Sequence, residues 1–343
     1  MNGRSTVRVV ALALLTAGAV AAAADAAQEA AAAYPGKNGK IAFRRYSGAD
    51  QSTGAIFVVA ADGTGEHQIT DFKRGVLADQ PDWSPDGSLI VFFGGCSATM
   101  PCAVWTVRPD GSQLKRLSRP VTKVIHDESN ASFTPDGRHV AFTDAWGDIK
   151  SYPGGDQIRH SDLVLMDLNG KHRRVLVRSA PFRADLQWPM FSPDASRLLY
   201  ITERSYFADP KTRKALFVAR PDGTHPRRIT PWGMDAADTD WSPDGSHIIF
   251  RSSDDDDDAT QSQLYTVRPD GSELKQMTNV PRGTLLLSAT YSPDGTQIVF
   301  AKSGDGSGGE QADLYVMNAD GTGAHPILTN TQWDSAPDWG TAG

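Results

Sequence analysis

Cysteine is nearly absent from this chain: Cys96 and Cys102 are the two in 343 residues. Two thiols alone make an incomplete zinc site, which argues against a structural zinc centre. With five residues between them, they read most simply as a local disulfide of an exported protein, a metal or redox pair being the alternative. No Gly-x-Ser-x-Gly elbow and no His-Glu-x-x-His is present, so the two commonest hydrolase signatures are missing. Positive charge is also short, with Lys and Arg totalling 34 against 41 Asp and Glu, for a formal charge of −7. Phosphate binding needs a basic stripe, so this balance argues against nucleic acid as a partner. Long apolar runs are missing except at Val9–Val20, which is too short to span a bilayer comfortably.

That run is preceded by Arg4 and Arg8 and followed by Ala24-Asp25-Ala26. A short basic region, an apolar stretch and a small-x-small site make residues 1–26 a secretory signal peptide, a retained anchor being the alternative. Residues 27–35 form a short linker, and residues 36–343 form the folded domain. Cleavage removes a net +1 (Arg4, Arg8 and Asp25), moving the formal charge from −7 to −8. The product is expected to be exported, periplasmic or secreted, with no membrane span and as a monomer.

What the chain has in abundance is repetition. The phrase aromatic-Ser-Pro-Asp-Gly occurs as Trp83–Gly87, Phe133–Gly137 (with Thr134), Phe191–Ala195 (with Ala in place of Gly), Trp241–Gly245 and Tyr291–Gly295, with a cut-down copy at Gly36–Gly39. The aromatic returns at Trp339, so the gaps are 50, 58, 50, 50 and 48 residues. A period near 50 rich in β-formers marks a propeller or a solenoid. A second turn repeats as Asp62-Gly63, Asp110-Gly111, Asn169-Gly170, Asp222-Gly223, Asp270-Gly271 and Asp320-Gly321. Asp-Gly or Asn-Gly between apolar runs is a strong hairpin signal. Each repeat is therefore a four-stranded antiparallel meander, and the all-β fold is a six-bladed propeller. The first repeat lacks its first strand, and Ser335–Trp339 is a first strand without successors. The C-terminal strand is expected to pair with the N-terminal blade and close the ring.

The Ser-Pro-Asp-Gly turn, the following Ile-x-Phe strand and the later Leu-Tyr-x-x-x-x-Asp-Gly resemble the repeats of the TolB-type β-propeller family over roughly residues 36–340. That resemblance implies a six-bladed propeller and contacts with envelope proteins. TolB proteins carry an α/β domain ahead of the propeller; about ten residues separate the cleavage site from the first repeat here, so this chain is expected to lack it.

The two repeated turns fall on one face and the variable connections on the other, where function tends to sit. That variable face should carry Asp79, His126, Asp127, Glu128, Asp185, Asp235, Asp238 and Asp334 in the connections before each first strand, with Trp188, Trp232 and Trp333. A loose ring of carboxylates at the channel mouth would attract a basic peptide or a divalent cation. The plainer reading is that these acids are solvated or bond backbone N–H groups. The tryptophans are either stacking platforms or plugs between blade tops. No cofactor is called for; calcium is the cation that the carboxylates would suit. The run Asp254–Asp258 lacks the alternation and glycine of an EF-hand and reads as a solvated loop. The leading expectation is a non-catalytic scaffold that binds an envelope protein or peptide. The alternative is a carbohydrate-active enzyme, a lyase or glycosidase, using His126, Asp127, Asp185 and Asp235 at the mouth.

Overall fold

The computed structural model describes residues 36–47, 53–71, 77–96, 101–118, 125–147, 160–179, 184–204, 214–253, 261–304 and 311–343. The signal peptide, the linker and the Asp254–Asp258 run fall outside the described residues. The described chain is all β, with one 3-10 turn at Trp232–Met234 and no α-helix.

Strand pairing groups the described strands into six four-stranded antiparallel units. The second unit is Leu77–Trp83, Ile90–Cys96, Ala103–Val107 and Lys115–Arg116, paired in that order. The third runs Ile125–Phe133, His139–Gly147, His160–Asp167 and Arg174–Val177. The fourth is Ala184–Phe191, Leu198–Arg204, Lys214–Ala219 and Arg227–Arg228. The fifth is Ala237–Trp241, Ile248–Ser253, Ser262–Val267 and Lys275–Gln276. The sixth is Leu285–Tyr291, Gln297–Ser303, Ala312–Asn318 and His325–Leu328. The first unit takes Asn38–Ser47, Thr53–Val59 and His67–Gln68 from the N-terminus and Trp333–Thr341 from the C-terminus.

The second strand of each unit is buried on both faces, which is why it reads as an unbroken apolar run such as Ile90-Val91-Phe92-Phe93. Each apolar cluster is shared by two neighbouring units. Ile56 and Val58 of the first pack on Trp83 and Phe92 of the second; Val91 and Val104 of the second pack on Phe133 and Phe142 of the third. The series continues between the third and fourth, the fourth and fifth, and the fifth and sixth units. The last cluster sets Val299 and Leu314 of the sixth against Phe43 and Trp339 of the first.

The Ser-Pro-Asp-Gly turns are held by their own side chains. Ser84 Oγ donates to Asp86 Oδ1 at 2.6 Å and accepts the Leu89 N–H at 2.9 Å, while the Ser88 N–H reaches Asp86 Oδ1 at 3.0 Å. The same pattern recurs around Asp136, Asp194, Asp244 and Asp294. These turns end in a left-handed residue: Gly87, Gly137, Gly245 and Gly295 have φ between 63° and 71°, and Ala195 has φ 56°. A Cβ added at Gly137, Gly245 or Gly295 meets nothing nearer than 3.6 Å. The handicap of Ala195 is therefore conformational and not steric crowding. Ala195→Gly should stabilise the protein by about 1 kcal/mol, read as a rise of roughly 2 °C in a thermal melt.

Candidate functional site

The first strand of every unit lines one central channel, and each carries a bulge at the same place. Its marker is one non-glycine residue with φ between 46° and 53°: Gln80, Asn130, Trp188, Asp238, Ser288 and Ala336. The register shifts between Asp79 and Asp82, Ser129 and Ser132, Gln187 and Met190, Ala237 and Asp240, and Leu287 and Thr290 surround these residues. The bulge explains a difference from the sequence reading. Asp79, His126, Asp127, Glu128, Asp185, Trp188, Asp238, Trp333 and Asp334 sit within the first strands, not in the connections before them. Gln80-Pro81 and its counterparts break the alternation, so the strand looks shorter in sequence than it is. Only Trp232 and Asp235 lie between strands, on the 3-10 turn and at its left-handed C-cap.

At the mouth the acids do not form an open carboxylate ring. Asp334, fully buried, takes Nε and Nη2 of Arg45 at 2.6 and 2.8 Å. Glu128, also fully buried, accepts from Ser118 Oγ and from Arg173 Nη1, the latter at 2.6 Å. Asp238 accepts Arg251 Nε at 2.7 Å, and Asp79 is bonded by Arg44, which also reaches Ser335. Burial outweighs the Arg44 charge at Asp79, whose carboxyl stays above its ordinary pKa. Three of these guanidiniums also lie over aromatic rings: Arg44 over Tyr46, Arg45 over Phe57 and Arg173 over Phe142. Four of the expected cation-attracting groups are thus internally neutralised. Of the rest, Asp127 accepts the Cys102 N–H at 3.2 Å, tying the inner strand to the loop closed by the Cys96–Cys102 disulfide. Asp185 is half-buried and His126 lies opposite Trp146 in the strand register, its side chain outside the described residues. Trp188 lines the channel, and Trp333 is half-buried where the C-terminal strand meets Tyr46.

Below the bulges lies a second tier that the sequence reading missed. Asp82 Oδ2 accepts the Phe133 N–H at 2.8 Å, Asp240 Oδ2 the Tyr291 N–H at 2.8 Å, and Asp338 Oδ2 the Trp83 N–H at 2.7 Å. Each joins one unit to the next. The other three interfaces are joined at the same level by Ser132 Oγ to the Pro189 carbonyl (2.6 Å), Thr290 Oγ1 to that of Pro337 (3.5 Å) and Trp241 Nε1 to that of Met190 (3.5 Å). A signal for the acids was available, since Asp82, Asp240 and Asp338 each immediately precede a repeat aromatic. Burial raises all three carboxyl pKa values, and the charge of Asp338 pushes Asp82 and Asp240 further up. Asp338 is raised to about 6. The cavity between the first strands, lined from the bulge residues down to Asp82 and Asp338, is about 70 Å³, room for a few waters but well short of the roughly 300 Å³ of a substrate pocket. Among the described residues no group of three His, Cys, Asp or Glu is placed to hold a metal ion.

The TolB beta propeller domain model matches residues 156–343. The chain belongs to the TolB β-propeller domain family. TolB from Acinetobacter baumannii superposes with a TM-score of 0.66 at 17% identity, over 90% of this chain and 68% of that one. An oligogalacturonate lyase in complex with manganese gives 0.54 at 16% identity, over 85% and 86%. A chain of a nidogen/laminin complex gives 0.58 at 9% identity, over 89% and 94%. At such identities these likenesses speak to the fold alone. No curated protein is detectably similar in sequence.

Two substitutions separate the tiers of this TolB-family channel. Asp334→Asn leaves Arg45 without its buried partner and should cost about 3 kcal/mol, measured by denaturant unfolding. Asp338→Asn should act oppositely. A carboxyl with a raised folded pKa holds its proton more tightly in the folded chain, so its contribution is complete below about pH 4 and is lost as pH rises through about 6. The amide keeps an acceptor for the Trp83 N–H. The variant should match wild type near pH 4 and exceed it by about 1–3 kcal/mol at pH 7.5, in melts at the two pH values.

Proposed function

We propose that this protein is an exported binding scaffold that engages another protein of the cell envelope through the face carrying the channel mouth. The observation that carries the reading is the composition of that mouth. Partly buried Arg44, Arg45 and Arg251, and the exposed Arg173, are locked in place by carboxylates, and Trp188 and Trp333 are half-buried on the first strands. Tryptophan and arginine in rigid, partly desolvated positions are the side chains that dominate interface energetics. The constricted channel and the internally paired acids favour recognition over turnover. The Cys96–Cys102 disulfide and the apolar leader in the sequence support export to an oxidising compartment.

The test is a crosslinking pull-down of the mature protein from its own envelope extract. A Trp188→Ala, Trp333→Ala variant runs beside wild type, with Leu274→Ala on the opposite, turn-bearing face as control. A protein captured by wild type and by the control, and reduced at least tenfold with the tryptophan variant while circular dichroism shows the fold intact, is the expected result. Equal capture by all three would place the contact elsewhere, and capture of nothing would count against the scaffold reading.

A further inference from the structure

The fourth unit carries a cluster that has no counterpart at the mouth. Trp232 follows the outer strand Arg227–Arg228 on its 3-10 turn. Tyr200 stacks on Phe217 at 5.8 Å, and Phe217 meets Trp232 at 5.7 Å, so the indole ends an aromatic row across one face of the sheet. Two guanidiniums converge on it, Arg204 at 3.9 Å and Arg228 at 5.5 Å from the ring centroid. Both arginines are exposed and the indole is half-buried.

The arginines stacked on rings elsewhere are occupied. Arg44, Arg45 and Arg173 hold Asp79, Asp334 and Glu128, and Arg116 over Trp105 gives its Nε–H to the Ser118 carbonyl. Arg204 and Arg228 have no carboxylate within 4.0 Å among the described residues. Glu203, next in sequence to Arg204, points to the other side of the strand and is taken by Gln187 at 3.2 Å and by Lys214 at 3.9 Å. Among the described residues, two like charges thus share one ring with no counter-charge between them. The indole fixes where the guanidiniums lie and leaves their N–H edges free, which is the geometry that a carboxylate engages in a bidentate manner.

We infer that Arg204, Arg228 and Trp232 form an anchor for a carboxylate, and that the occupant is an acidic side chain of the protein partner. The inference rests on the reading of this face as the binding face and adds the chemistry of what binds there. A sugar acid fits less well, because guanidiniums cover the indole on which a pyranose would stack. An Asp or Glu on a flexible segment needs only the exposed N–H edges.

The test uses the whole mature protein, labelled with nitrogen-15 at arginine, and the side-chain Nε–H signals as readout. The probe is acetyl-Glu-Gly-Glu-amide, with acetyl-Gln-Gly-Gln-amide as control and galacturonate as a third arm. The expected result is a saturable shift of the Arg204 and Arg228 signals with the glutamate peptide, none with the glutamine peptide, and binding about tenfold weaker in Arg204→Gln. Trp232→Leu should also weaken it while the thermal melt stays cooperative. No saturable shift, or affinity unchanged by Arg204→Gln, would overturn the anchor. Galacturonate binding more tightly than the peptide would replace the acidic protein segment with a uronate. These outcomes leave the pull-down result standing, whereas equal capture by the Trp188/Trp333 variant would remove the binding face and not the carboxylate affinity of the free protein.

Discussion

No unit of this protein can bury its own apolar surface. A four-stranded sheet exposes two faces, and in each unit here both carry Ile, Val, Leu and aromatic side chains. Every apolar cluster is completed by residues of the neighbouring unit, and that requirement dictates the radial arrangement. The first strands then crowd round a narrow channel, and at one common level every interface carries a polar link between them. The short turns, the bulges and the buried acids all follow from fitting sheets edge-on around an axis.

The two faces treat negative charge differently. On the turn-bearing face the aspartates accept hydroxyl and backbone hydrogens from their own loops. Asp62, Asp110, Asp222, Asp270 and Asp320 are lowered in pKa by bonds from the Thr or Ser two residues on. Partial burial pushes Asp86, Asp136, Asp194, Asp244 and Asp294 up, but the hydrogen bonds prevail and these too are lowered. At the mouth, arginines supply the compensation. Among the described residues no cation pairs with the acids of the channel floor, and burial drives Asp82, Asp240 and Asp338 towards the protonated form.

The propeller class was legible because its signals are local and repeated. Pro-Asp-Gly dictates a tight turn whatever surrounds it, and the buried strand that follows tolerates only apolar residues. The candidate site was legible only as a set of residues. Asp79, Asp238 and Asp334 could be placed near the mouth from their spacing, but their partners could not. Arg44, Arg45 and Arg251 occupy second strands, where a sequence pattern gives no hint that a long side chain will reach a neighbour's carboxylate. For Asp82, Asp240 and Asp338 the place before a repeat aromatic is visible in the sequence, but an acid there is equally compatible with a solvated residue at a strand end. Their role depends on a backbone N–H contributed from roughly fifty residues or more away, or, for Asp338, from the opposite end of the chain.

The first unit draws one strand from the C-terminus, with Trp339 opposite Ile41 and Asn38 opposite Thr341. A linear stack of repeats has end members that can fray one at a time, because each terminal repeat gives up a single interface. Here the first and last described strands are secured within one sheet, and Trp339 sits in the cluster shared with the sixth unit. Releasing either terminus opens a sheet and two interfaces together. Among the described units none gives up only a single interface, so the repeats should melt as a single cooperative body.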